Sequence, residues 1–320
     1  MKLISRPILA ILAVGTLALT AGCSSGGASP GADGSDAAVA GGLPMTITTE
    51  FNTEVDEAAA ALLPEDVLDR GMIRVAMGVP YPPFVQYADD DKLIGLDVDM
   101  VAALSAKLDI PFEVNHQVFE SVIPSLQSDR HDLIMMGMND SKERQKTLNF
   151  VEEINAGFAI VVEKGNPENI TTLMDLCGHS VSTQKSTIQA EMLENLKGDC
   201  EAAGSEGIDV QGLPVAQDAQ TALRADRVQA YVVDAPVAAH TVATAGDGEY
   251  FEMIADPQNP QGFNPVYTGF GLLNDRTELT DALQAAMQAL MDEGIYQSIL
   301  DTHGMGSLAV EEALVNAATN

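Results

Sequence analysis

From about residue 70 onward, short apolar runs alternate with stripes of helical period. Met72–Val79 (MIRVAMGV) is a nearly continuous apolar run and predicts a strand. In Gly95–Leu108 (GLDVDMVAALSAKL), the residues Met100, Val101, Leu104 and Leu108 form one stripe of an amphipathic helix. FEVNHQV then reads as a strand, Ser121–Gln127 as a short helix, Asp132–Met138 (DLIMMGM) as a buried strand and Gly157–Lys164 (GFAIVVEK) as another. The order β-α-β-α-β predicts α/β units on a largely parallel sheet. A second set repeats the rhythm without a detectable sequence repeat. It comprises a short helix at LMDLCG, a strand at HSVSTQ, a helix over 186–197, a strand at IDVQGLP and a helix at AQTALRAD. A buried strand, Gln229–Ala235, precedes a helix through Ala238–Val242. EYFEMIAD and YTGFGLLN read as strands, and helices Glu278–Asp292 and Ile295–Thr302 close the pattern.

Sites in open α/β sheets form where loops leave the carboxyl ends of strands, and three polar loops stand there: GVPYPPF, MNDSKER and VVDAP. In the second, Asn139, Asp140 or Ser141 can cap a helix, and Asp140 with Glu143 has the spacing of a capping box. The same helix start offers unpaired N–H groups, and Arg144 offers a planar fork matched to a carboxylate. Spacing leaves a solvated helix start and an anion grip both open. Asp234 either caps the helix after it or accepts hydrogen bonds from an ammonium. Tyr81 either packs its loop or walls a ligand, and Ser186 or Thr187 either caps a helix or touches a ligand.

Composition narrows the functions. The chain has 320 residues, 46% of them hydrophobic, which suffices for two domains or one bilobed body. Its 47 Asp+Glu against 16 Lys+Arg give a net charge of −31. That excludes nucleic-acid binding and a polybasic grip on anionic lipid, and it reads as a highly soluble surface, with attraction of a cationic ligand as the sharper alternative. Lys2 and Arg6, the apolar run Pro7–Leu19 and the small residues Thr20-Ala21-Gly22 form an export signal over 1–22. Cys23, directly after LTAG, resembles a bacterial lipobox cysteine, which implies cleavage before it and a lipid anchor on its sulfur. Residues 23–62, opening with a Gly/Ser/Ala/Asp-rich stretch, are expected to be a flexible tether. Of three cysteines, Cys177 and Cys200 then remain for a disulfide in an oxidising compartment. Five histidines show no zinc spacing, and no Gly-x-Ser-x-Gly elbow or P-loop is present. No catalytic residue, metal site or cofactor is expected, and a binder ranks above an enzyme.

Four stretches in order resemble the extracellular solute-binding proteins of family 3, the polar amino-acid receptors of ABC importers, across Val67–Gly304. They are GLDVDMVAALSAKL, SVIPSLQSDRHDLIMMGMNDSKERQKTLNF, RADRVQAYVVDAPVAAH and YTGFGLLNDRTELTDALQAAMQALMDEGIYQSIL. The resemblance implies an α/β, two-lobed Venus-flytrap fold, like the type II periplasmic binding proteins, with two crossovers. Lobe I would span 63–156 plus 267–306, lobe II 157–266, and a C-terminal tail 307–320. It implies that Arg144, assisted by the Asn139 region, holds an α-carboxylate and that Asp234 holds the α-ammonium. Gly137 would present backbone to the ammonium, Thr187 a second-lobe contact, and Tyr81 a cover for the side chain. The implied partners are an amino acid or similar zwitterion, an ABC permease with its ATPase, and the outer face of the bacterial cell membrane through lipid on Cys23. Two alternatives carry the same fold: a dehydratase-like enzyme acting on a small carboxylic acid, and a ligand sensor. Leu96 replaces the family's aromatic, and Gly78 stands where several cation-selective relatives carry an acid. The acidic bulk charge points the other way, so the ligand's identity stays open.

Overall fold

A computed structural model describes residues 42–319. Helices α1 (Glu57–Ala60) and α2 (Glu65–Arg70) lead into β1 (Ile73–Met77), and a short hairpin of β2 (Gln86–Tyr87) and β3 (Leu93–Ile94) follows. α3 (Leu96–Leu108), β4 (Phe112–His116), α4 (Val122–Gln127) and β5 (Leu133–Asn139) complete the first set, and β6 (Leu148–Glu163) leaves it. The second set holds β7 (Ser180–Gln184), α5 (Ile188–Ala202), β8 (Asp209–Leu213), α6 (Ala216–Arg224), β9 (Ala230–Asp234), α7 (Ala235–Thr244) and β10 (Phe251–Ile254). β11 (Phe263–Leu273) returns to the first set, where α8 (Thr277–Asp292) and α9 (Ile295–Thr302) close it.

The strand order is β4-β1-β5-β11-β6-β9-β7-β8, with β10 also on β6. β1 runs parallel to β4 and β5, and β7 runs parallel to β8 and β9. The middle is antiparallel, because β6 carries the chain out and β11 brings it back beside β6. A largely parallel sheet therefore holds in each wing and fails where the two crossovers meet. The result is a two-lobed α/β fold of the Venus-flytrap kind. β6 serves both faces by the two-residue period of a strand. Phe158, Ile160 and Val162 enter one core with Leu176 and Leu193, while Ala159 and Val161 join the larger core that holds Val75, Leu104 and Leu283.

The expectation of a strand beginning at Gly157 is corrected to a start at Leu148. Glu152 and Glu153 break the apolar pattern of that run, yet they are 0% and 1% exposed. Glu153 shares its site with Asp97, whose Oδ2 also accepts the Gly137 N–H at 2.9 Å. Glu152 accepts the Ala317 N–H at 2.9 Å and lies beside Asp140. Two carboxyls that face each other away from water are stable when a proton stays between them.

The tether also ends earlier than expected. The Leu43 N–H donates to the Val114 carbonyl at 2.8 Å, and Met45 is 3% exposed, bridged to Leu93. The Thr48 N–H and the Thr49 hydroxyl donate to the Asp99 carboxylate at 2.8 and 2.6 Å, and His303 Nε2 stands 2.9 Å from it. Residues 42–62 are thus strapped to the first lobe because a buried carboxylate needs donors. At the other end, Ala309 and Val315 bridge Ile154 and Val151, so the C-terminal residues also pack along β6. The expected signal over 1–22, Cys23 and the expected tether before residue 42 lie outside the described residues. Cys177 and Cys200 are joined as a disulfide across a separation of 23 residues, a loop whose closure contributes about 3 kcal/mol in the chain-entropy model. Among the described residues no helix is long and apolar enough to cross a membrane.

The buried carboxyls make stability depend on pH. Burial pushes Asp97 up to about 7 and Glu152 up to about 9, and burial with the neighbouring Asp97 carboxyl pushes Glu153 up as well. Raised acid pKa values contribute stability that is complete below the unfolded value near 4 and is lost as pH climbs through the folded values, at about 1.4 kcal/mol per pH unit for each linked proton. Glu153→Gln is expected to flatten the fall between about pH 5 and 8 by about one proton's slope relative to the parent. Denaturant midpoints measured across that range check it.

Candidate functional site

The cleft between the lobes holds a cavity of about 110 Å³. All six residues expected to touch a ligand line it: Tyr81, Gly137, Asn139, Arg144, Thr187 and Asp234. Their positions come from strand ends. Asn139 ends β5 and Asp234 ends β9, each where a strand passes into a loop or helix at its carboxyl end.

Asp234 is 4% exposed. It stands at the N-cap position of α7 but makes no side-chain cap. Its Oδ1 instead accepts Asn139 Nδ2 at 3.0 Å and Gln189 Nε2 at 2.9 Å, and its Oδ2 accepts the Tyr81 hydroxyl. Burial raises the Asp234 pKa, while the Tyr81 and Asn139 donors and the Arg144 charge pull it back down. The Tyr81 phenol is held well above its usual range by burial and by the Asp234 charge, so it stays a donor.

Arg144 does not start an α-helix. The expected helix shrinks to one 3₁₀ turn, Arg144–Lys146, because the Asp140 carboxylate is used elsewhere, accepting Gln145 Nε2 at 2.6 Å and the Ala318 N–H at 2.9 Å. Ser141 Oγ accepts the Arg144 N–H at 3.2 Å, and Glu143 pairs with Lys146. The helix-terminus part of the anion-grip idea therefore falls away, and the guanidinium remains. It donates to the Asn139 carbonyl at 2.6 Å and the Ser186 carbonyl at 3.4 Å, and it lies 5.5 Å from the Phe119 ring centroid. Burial lowers its pKa to about 10, against the pull of Asp234, so it remains a cation at neutral pH. Since a guanidinium has five donors, it retains capacity for a carboxylate.

Gly137 has φ +63°, and a Cβ there would stand 2.7 Å from the Phe84 ring, so the position admits glycine alone. Its N–H is committed to Asp97, which leaves the carbonyl side for any ligand contact. Thr187 both caps and lines. Its hydroxyl accepts the Ala190 N–H at 3.2 Å, donates to the Gln184 carbonyl at 2.7 Å, and borders the cavity. Lys142 and Lys146 are exposed and outside the lining.

Sequence reasoning missed Gln189, Phe119 and Gln184, which also line the cavity. Gln189 had a readable signal. It shares the buried stripe of α5 with Leu193, Leu196 and Cys200, and a polar side chain on such a stripe needs a partner. Phe119 had none, because a lone aromatic after a strand reads as packing.

The family model for bacterial extracellular solute-binding proteins, family 3, matches residues 73–306. The chain belongs to this family. The arginine-binding protein ArgT of Corynebacterium glutamicum is 31% identical over 264 residues, covering 80% of this chain and 82% of that protein. The L-cystine-binding protein TcyJ of Escherichia coli is 26% identical, covering 80% and 91%. A solved ancestral arginine-binding protein bound to glutamine matches with a TM-score of 0.64 and 28% identity, over 74% of this chain and 99% of that one. In this family-3 protein Asn139 joins the two lobes through Asp234. Asn139→Ala, which removes a donor from that buried carboxylate, is expected to cost about 1–3 kcal/mol of folding stability in denaturant titrations.

Proposed function

We propose that this family-3 protein is an extracytoplasmic receptor, anchored by lipid on Cys23, that binds an amino acid as its zwitterion and delivers it to an ABC permease and its ATPase. One observation carries the reading: the Arg144 fork and the buried Asp234 carboxylate line one cavity from opposite lobes. A zwitterion leaving water needs both its charges paired. Arg144 takes the α-carboxylate beside Asn139, and Asp234 takes the α-ammonium together with the Gly137 carbonyl. Thr187 borders the ligand from the second lobe, and Tyr81 covers it. A ligand that bridges the lobes binds the closed form better than the open one, which is what closure requires. The relatives named for arginine and cystine, and the ancestral protein bound to glutamine, support the amino-acid class. The export-signal pattern over 1–22, directly before Cys23, supports the anchor.

A saturating amino acid, at about 100 times its Kd, is expected to stabilise the purified protein by about 2.7 kcal/mol, and Arg144→Ala is expected to abolish the shift. A thermal-shift series across the amino acids checks this. A series with no shift defeats the reading, and recovery of a chemically altered ligand favours the enzyme alternative. Fatty-acid labelling of the membrane fraction, lost in Cys23→Ser, is the expected mark of the anchor.

A further inference from the structure

We infer that the part of the cavity left for the ligand's side chain selects an amino acid whose side chain carries no charge. The inference rests on the zwitterion reading, which assigns Arg144 and Asp234 to the two backbone ends of the ligand. Once they are assigned, the cavity lining contains no other carboxylate, lysine or arginine among the described residues.

The remaining wall is largely apolar. Val79, Val118 and Met136 come from the first lobe and Val215 from the second. Met136 is 5% exposed, and its methyl end lies 2.1 Å from where a Gly78 Cβ would stand, so its thioether fills the space beside that glycine. The Phe119 ring is already engaged by the Arg144 guanidinium at 5.5 Å. A cationic side chain seeking that ring would therefore approach a like charge.

The polar groups in the wall are neutral amides and one imidazole. Gln117, Gln184 and His116 line the cavity, and Gln184 Nε2 is turned away to the Pro214 carbonyl at 3.2 Å. Gln189 is 2% exposed, and its Oε1 is a buried acceptor without a partner among the described residues. A buried acceptor in that state is costly unless it finds a donor. The amides can hydrogen-bond an amide or accept an N–H, but they do not neutralise a buried cation or anion as a carboxylate or guanidinium would, and the His116 ring already accepts the Val79 N–H on Nδ1 at 3.5 Å.

Carboxylates outside the lining do not change this. Glu120, next to Phe119, is held by Lys185 at 2.8 Å and faces Ser186 Oγ at 3.4 Å. The net charge of −31 draws cations toward the protein. That field is screened over about 8–10 Å in physiological salt, so it affects the encounter rate and places no partner inside the cavity.

Isothermal titration of the purified full chain with L-glutamine, L-methionine, L-leucine, L-arginine, L-lysine and L-glutamate tests the inference. The expected result is that an uncharged amino acid binds about tenfold or more tightly than each charged one. If a charged amino acid binds most tightly, this inference is overturned and the zwitterion reading stands. If no amino acid produces binding heat, both fall. Met136→Glu places a carboxylate in the apolar wall, and preference is expected to shift toward L-arginine over L-glutamine by about tenfold. An unshifted preference in the folded variant counts against the inference, and the parent titrations decide it where that variant does not fold.

Discussion

The buried carboxylate of Asp234 joins what the two sets of elements would otherwise leave apart. It belongs to the second lobe, at the end of β9, yet two of its three hydrogen-bond donors, Tyr81 and Asn139, come from the first, and Gln189 supplies the third. A carboxylate removed from water tolerates that position only with several donors around it. The requirement fixes where the GVPYPPF loop, the end of β5 and the start of α5 stand relative to one another. Arg144 adds its charge nearby and donates to the carbonyls of Asn139 and Ser186, one from each lobe. The same few polar groups therefore close the cleft and shape the cavity.

Carboxyl chemistry recurs away from the cleft. Asp97 and Glu153 face each other where α3 meets β6, and Glu152 meets Asp140 beside the C-terminal residues. Asp99 collects Thr48, Thr49 and His303, tying the N-terminal strap and α9 to α3. A chain this acidic places several of its carboxyls inside the first lobe, and each one organises a junction between segments distant in sequence. These buried groups differ from the exposed majority because solvent screens a surface charge. An interior one is retained by a proton, a donor set or a cation.

Legibility followed physical locality. The strand of β5 and the stripe of α3 were readable because burial of a continuous run or a helical face needs only neighbours in the chain. The disulfide followed from the count of cysteines and the compartment. The six lining residues were named through loops at strand ends and through the family's motif order, and the structure brings them around one cavity. Three features were not readable. The first half of β6 was hidden by Glu152 and Glu153, whose burial depends on Asp140 and Asp97 across the fold. The strap over 42–62 was read as a continuation of the Gly/Ser/Ala/Asp-rich stretch that follows Cys23, whereas Asp99 supplies its anchor from a helix 50 residues away. The helix expected after Ser141 gave way to a 3₁₀ turn because Gln145 and Ala318 claimed the Asp140 carboxylate.

By itself the sequence determined the alternation of elements, the two-lobed α/β class through its motifs, the pairing of Cys177 with Cys200, and the residue types able to hold a zwitterion. Those properties depend on local periodicity, residue count and motif order. Only the tertiary structure decided which capping residues cap, which acids are buried, and that Gln189 stands with Asp234 while Lys142 and Lys146 remain outside the lining. A charged or amide side chain has the same propensity whether it meets solvent or a partner. Its role is set by the donor or acceptor that folding brings within about 3 Å, and that neighbour lies far away along the chain.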